Sequence, residues 1–267
     1  MSCCPPTSWA KLSDAGEDTY QPKGIEETIN AHDSLPIYYT APVGSSSRRN
    51  GKDSIIVYTD VYGFSSRLKF ICDTFAENGY HVIMPDCLRG ETLDKNPDII
   101  SWLKKYPSEI IIKDTYACME YLKSKWKNDT GMSSSEHEVQ QQSVGAIGFC
   151  WGGWAIAKTA SEGICWKCAV SPHPSTKIEG FIFGNDETAM LNKVNIPFML
   201  LPAADDMDIL KPGSKVVKEL ENHGGKSHLF DRMNHGWVSR GDLTQKDVKE
   251  DAEKALALSL NFFNQHM

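Results

Sequence analysis

The feature that most restricts the fold is a series of short, nearly continuous apolar runs: SIIVYTD (54–60), YHVIMPD (80–86), SVGAIGF (143–149), KCAVSPH (167–173), IPFMLLPA (196–203) and the weaker SHLF (227–230). Runs of this length without polar alternation belong to strands buried on both faces. The stretches between them carry helical spacing instead: SSRLKFICDTFAENG, SEIIIKDTYACMEYLKSKW, WAIAKTASEG, KPGSKVVKELENHGG and the C-terminal QKDVKEDAEKALALSLNFFNQ. Strands alternating with amphipathic helices predict an α/β fold, with a mostly parallel central sheet covered by helices on both faces. Ligand chemistry in such sheets gathers at the carboxyl ends of the strands.

One domain accounts for the 267 residues. The polar stretches GSSSRRNGKD (44–53) and NDTGMSSSEHEVQQQ (128–142) are each followed at once by a buried-strand run, so they are expected to be surface loops within that domain. With 28 basic against 35 acidic residues and no basic stripe, a nucleic-acid partner is not expected. No segment approaches the ~20 apolar residues that span a bilayer, and the N-terminus lacks an apolar leader core. Ser2 and the terminal FFNQHM fit neither myristoylation nor prenylation, which predicts a soluble, cytoplasmic protein with no membrane partner. The eight cysteines are expected to be thiols, with Cys3 and Cys4 exposed in a tail. Cys165 and Cys168 form a C-x-x-C, but no second motif supplies further metal ligands, so neither metal nor cofactor is expected.

The stretch VGAIGFCWGGW, Val144 to Trp154, carries the chemistry. A buried strand ends at Phe149, Cys150 follows, and a helix pattern begins after Gly152 and Gly153. Cys150 therefore stands on a tight strand-to-helix turn. Gly148 and Gly152 flank it at two residues on either side, where a β-carbon would meet the neighbouring strand or helix. This is the G-x-S-x-G nucleophile elbow with sulfur for oxygen. The following helix directs its positive end at the side chain, which favours a thiolate, and the Trp151 N–H is aimed at a developing oxyanion.

Partners follow in the order nucleophile, acid, histidine. Asp205, Asp206 and Asp208 come after the strand IPFMLLPA, and Asn234-His235-Gly236-Trp237 comes after SHLFDRM. Each group falls at a strand's carboxyl end, on the edge that holds Cys150. His235 is the expected base, its tautomer fixed by one of the three acids. His173, in SPHP, ends another strand on that edge and is expected to wall the pocket. Tyr62 and Trp237 are expected to add aromatic walls.

GFCWGG, NHGW, the strand-end segment TDVYG and MPDCLRGE together resemble the dienelactone hydrolase (carboxymethylenebutenolidase) family of α/β-hydrolase enzymes. The match runs from about residue 36 to the end, which implies a tail and lead-in over 1–35 and one α/β-hydrolase domain over 36–267. The resemblance implies a triad of Cys150, His235 and an aspartate, with DMDIL favouring Asp206 and leaving Asp205 second. It implies that Asp60, where the family usually has glutamate, modulates the thiol, and that the Val61 N–H is the second oxyanion donor. Arg89 matches the first of two family arginines that bind a substrate carboxylate. The second falls at Ser239, with Arg240 one residue further on.

The implied reaction is hydrolysis of a small activated ester or lactone through a thioester on Cys150, with a small-molecule ester or lactone as the substrate. Two other readings compete with this one: a non-catalytic binding protein that retains the elbow as architecture, and a thiol redox protein built on Cys165 and Cys168. The sequence holds no reading of the oligomeric state.

Overall fold

The computed structural model describes residues 8–9, 20–30, 33–42, 53–96, 98–130 and 143–267. Cys3, Cys4 and most of the two polar loops lie outside them. The strands are β1 (Ile25–Ile29), β2 (Leu35–Thr40), β3 (Asp53–Tyr58), β4 (His81–Pro85), β5 (Ser143–Gly148), β6 (Ala169–Pro172), β7 (Phe198–Leu201) and β8 (Lys226–Ser227). They form one sheet in the order β1-β2-β4-β3-β5-β6-β7-β8, parallel from β4 to β8. All six apolar runs expected to be strands contribute to it.

The helices are α1 (Ser66–Glu77), α2 (Ile99–Leu103), α3 (Ser108–Thr130), α4 (Trp151–Ser161), α5 (Ile178–Phe181), α6 (Glu187–Leu191), α7 (Lys215–Glu221), α8 (Trp237–Arg240) and α9 (Lys246–His266). Successive strand side chains go to opposite layers, as the two-residue repeat requires. Ile56, Tyr58 and Leu200 pack in one core layer with residues of α3, α4 and α7. Ile55, Val57 and Leu201 pack in the other with residues of α1 and α9. Burial on both sides explains why these strands read as unbroken apolar runs.

The antiparallel edge departs from expectation. β1 pairs with β2 in the register Ile25↔Tyr39 to Ile29↔Leu35, and β2 pairs antiparallel with β4. The sheet therefore reaches back to Ile25, into the segment 1–35 that the sequence had set outside the domain. β1 is an edge strand with three of its five residues exposed, so IEETI carries no apolar run to betray it. Among the described residues, no helix is long and apolar enough to cross a membrane.

Candidate active site

The parallel strands β3, β5, β6 and β7 deliver their carboxyl ends to one edge of the sheet, and the candidate residues converge there. Cys150 caps the N-terminus of α4 with φ 54° and ψ −110°, a conformation costly for a non-glycine residue. The turn is closed by Gly152 N–H to Phe149 O at 2.8 Å and Gly153 N–H to Cys150 O at 3.0 Å. A β-carbon on Gly148 would lie 2.3 Å from Gly152 O, and one on Gly152 would lie 2.6 Å from Tyr58 O. Both glycines are thus required by the close approach of β3, β5 and α4. Trp151 opens α4, where a backbone N–H has no intrahelical acceptor, and buried Val61 lies three residues beyond the end of β3.

Three acids competed for the histidine, and the geometry separates them. Asp206 Oδ1 lies 2.6 Å from His235 Nδ1, and its Oδ2 accepts from Ala203 N–H at 2.7 Å. Asp205 holds the backbone instead, accepting from His235 N–H at 2.7 Å. The side chain of Asp208 is 94% exposed and pairs with Lys211. The His235 ring is fully buried. Burial alone would lower its pKa, but the charges and hydrogen bonds of Asp206 and Cys150 outweigh that and hold it well above its ordinary value.

Ser175 was not anticipated. Its Oγ lies 3.3 Å from Cys150 Sγ and 3.4 Å from His235 Nε2, so it contacts both side chains. It belongs to no motif, and its place two residues beyond His173 after β6 was the only signal in the chain. Trp9 was also missed: its N–H donates to His235 O at 3.0 Å, and its carbonyl accepts from Arg240 Nε at 2.9 Å.

His173 follows β6 on the same sheet edge, its ring edge-on to His235 at a centroid distance of 5.1 Å. It is fully buried, its φ is 39°, and neither ring nitrogen has a hydrogen-bond partner. Burial, reinforced by the positive charges of His235 and Arg240, pushes its pKa well below the ordinary value and keeps the ring neutral.

The two arginines expected at one anion site are held by different carboxylates. Arg89 makes a fork of two 2.8 Å bonds to buried Asp114 on α3. Arg240 is buried and donates from Nη1 to Asp60 Oδ2 at 2.7 Å, while its guanidinium lies 4.7 Å over the Tyr62 ring. Asp60 Oδ1 accepts from the Tyr62 N–H at 2.8 Å, so both its oxygens have partners other than Cys150. Trp237, expected as a pocket wall, is fully buried in the α1/α9 core layer against Phe230 and His173. Cys165 is exposed and Cys168 buried.

A family model described as the dienelactone hydrolase family matches residues 40–267. The chain is 24% identical over 262 residues to hydrolase tropI of Talaromyces stipitatus, covering 92% of this chain and 91% of that protein. It is 27% identical over 196 residues to the human carboxymethylenebutenolidase homolog, covering 70% and 71% respectively. Among solved structures, a Klebsiella pneumoniae protein assigned as a dienelactone hydrolase superposes with a TM-score of 0.63 at 17% identity, covering 91% of this chain and 98% of that one. The dienelactone hydrolase-like promiscuous phosphotriesterase P91 from metagenomic libraries gives 0.60 at 14%, covering 91% and 98%. At such identities these structures speak for the fold alone. Sheet order, elbow and family match agree: the chain belongs to the dienelactone hydrolase family, ester-hydrolysing enzymes of the α/β-hydrolase fold.

Proposed function

We propose that the protein hydrolyses small activated esters or lactones with Cys150 as nucleophile, His235 as acid and base, and Asp206 as the group that orients His235. The observation that carries this reading is the 2.6 Å contact of Asp206 with His235 beside a cysteine held at φ 54° on a strand-to-helix turn. The thiolate adds to the carbonyl carbon, and the N–H groups of Trp151 and Val61 receive the oxyanion. As the adduct collapses, the bond to the leaving oxygen breaks and His235 supplies its proton. His235 then takes a proton from water, which attacks the thioester and frees Cys150.

Sulfur leaves a tetrahedral adduct more readily than a simple alkoxide does. A thiolate enzyme therefore suits substrates whose leaving oxygen is itself stable as an anion, such as an enol lactone or an aryl ester. Of the two arginines, Arg240 stands closer to the chemistry, because its charge acts on His173, whose ring abuts His235. In this reading Arg240, with Tyr62 stacked beneath it and Asp60 balancing it, receives a substrate carboxylate, and His173 borders the acyl pocket. Arg89 contributes by supporting the loop after β4.

Steady-state hydrolysis of p-nitrophenyl acetate and of a cis-dienelactone tests the reading. The Cys150→Ala variant should lose at least about a thousandfold in kcat/KM on both substrates. Turnover that survives in this variant would remove Cys150 from the mechanism.

A further inference from the structure

The segment that leaves β6 is built against the elbow. His173 N–H donates to Leu201 O at 2.9 Å, Ser175 N–H donates to Cys150 O at 2.9 Å, and Ser171 Oγ donates to Gly148 O at 2.7 Å. Pro174 seats on α4 so closely that a β-carbon at Gly153 would lie 2.8 Å from its ring. These contacts fix where the Ser175 hydroxyl points. It is fully buried, 3.3 Å from Cys150 Sγ and 3.4 Å from His235 Nε2.

We propose that Ser175 is a working member of the site, its hydroxyl donating to the Cys150 thiolate while accepting from the Nε2–H of His235. The proposal rests on the reading of Cys150 and His235 given above. A hydroxyl carries one proton and two lone pairs, so it can serve two neighbours at once only as donor to one and acceptor from the other. When Cys150 is a thiolate its charge and that of Asp206 favour the imidazolium, so Nε2 carries a proton and the serine proton is left to the sulfur. A hydrogen bond to an anionic acceptor is stronger than one to a neutral partner, so the hydroxyl favours the thiolate over the thiol.

Thiolate formation by this route balances. The thiol proton passes to His235 Nε2, leaving sulfur anionic and imidazole cationic, while Ser175 keeps its own proton and turns it toward the sulfur. Once the sulfur is acylated its charge is gone, and the donated bond weakens with it. Ser175 therefore acts before the chemical step, on the amount of reactive nucleophile. It should affect the pH dependence of thiol reactivity more than the binding of substrate.

The test is the rate of Cys150 alkylation by iodoacetamide as a function of pH, followed by mass spectrometry of the Cys150 peptide so that the exposed Cys165 does not interfere. Parent, Ser175→Ala, Ser175→Gly and Ser175→Thr are compared, each with its thermal midpoint. Loss of the hydroxyl in Ser175→Ala should move the midpoint of the profile upward by about one pH unit, and Ser175→Thr should return it. Absorbance of the thiolate near 240 nm, read against Cys150→Ala, should move with it. A profile unchanged in Ser175→Ala, or in Ser175→Gly where the alanine variant is unstable, overturns the proposal. So does a midpoint that rises equally in Ser175→Thr, since packing and not the hydroxyl would then be the cause. If Cys150→Ala retains turnover, the nucleophile reading falls and this proposal with it. If that variant is inactive and Ser175→Ala keeps the parent profile, only the role of Ser175 falls.

Discussion

Arg240 and Asp60 form an ion pair of 2.7 Å in which the two side chains are only 5% and 3% exposed. A buried pair contributes little net stability compared with apolar groups of the same shape, but breaking it leaves one charge in a medium that cannot solvate it. Arg240→Gln or Asp60→Asn alone should therefore cost about 3–5 kcal/mol, and the double substitution Asp60→Asn/Arg240→Gln should cost much less than their sum. Urea unfolding of the four proteins measures the coupling. Additive costs would mean that the two side chains do not interact in solution.

Gly236 makes room for this arginine. It has φ 93°, and a β-carbon there would lie 2.4 Å from Arg240 Nη2. Gly236→Ala should therefore cost about 1–3 kcal/mol and displace the guanidinium from Asp60. If Arg240 receives a substrate carboxylate, kcat/KM should fall further for a carboxylated lactone than for p-nitrophenyl acetate. An equal loss on both would separate Arg240 from substrate charge.

His173 carries two buried ring nitrogens without partners. Phenylalanine keeps the ring contacts with Phe149, His235 and Trp237 while removing those polar atoms. His173→Phe should leave stability unchanged or raise it by about 1 kcal/mol, because no hydrogen bond is lost and a desolvation cost is removed. A fall of more than about 2 kcal/mol on urea unfolding would show that the nitrogens are hydrogen-bonded in solution. Its pKa lies below the unfolded value, so the stability it confers is present above about pH 6.5 and is lost as pH falls. The acid-side loss should accordingly be shallower in His173→Phe.

His235 titrates in the opposite sense. Its folded pKa is raised, so its contribution is complete below the unfolded value of about 6.5 and is lost as pH rises through the folded value. The stability difference between the parent and His235→Asn should thus be larger at pH 6 than at pH 9. Chemical denaturation at both values checks the sign, and an equal or reversed difference would mean that Asp206 and Cys150 do not hold the imidazolium.

Much of the site was legible because its signals are local. The glycines of GFCWGG are set by contacts within one strand-turn-helix, and burial of β3 to β7 on both faces writes each strand as an apolar run. The parallel order of those strands then brings Cys150, His173, Asp206 and His235 to one edge. β1 escaped because an edge strand exposes most of its residues and leaves no such run.

The sequence by itself determined the fold class, the strand-to-helix turn at Cys150 and the strand ends that carry Asp206 and His235, since these follow from periodicity and strand polarity along the chain. Only the tertiary structure decided which of three neighbouring aspartates meets His235, that Arg240 turns inward to Asp60, that Arg89 is held by Asp114, and that Ser175 contacts both Cys150 and His235. The reason is distance along the chain. The partners are separated by 29, 180, 25 and up to 60 residues, and Trp9 meets Arg240 across 231. A difference of one position within a loop turns a side chain toward a different neighbour, and spacing along the chain does not encode which neighbour the fold has placed there.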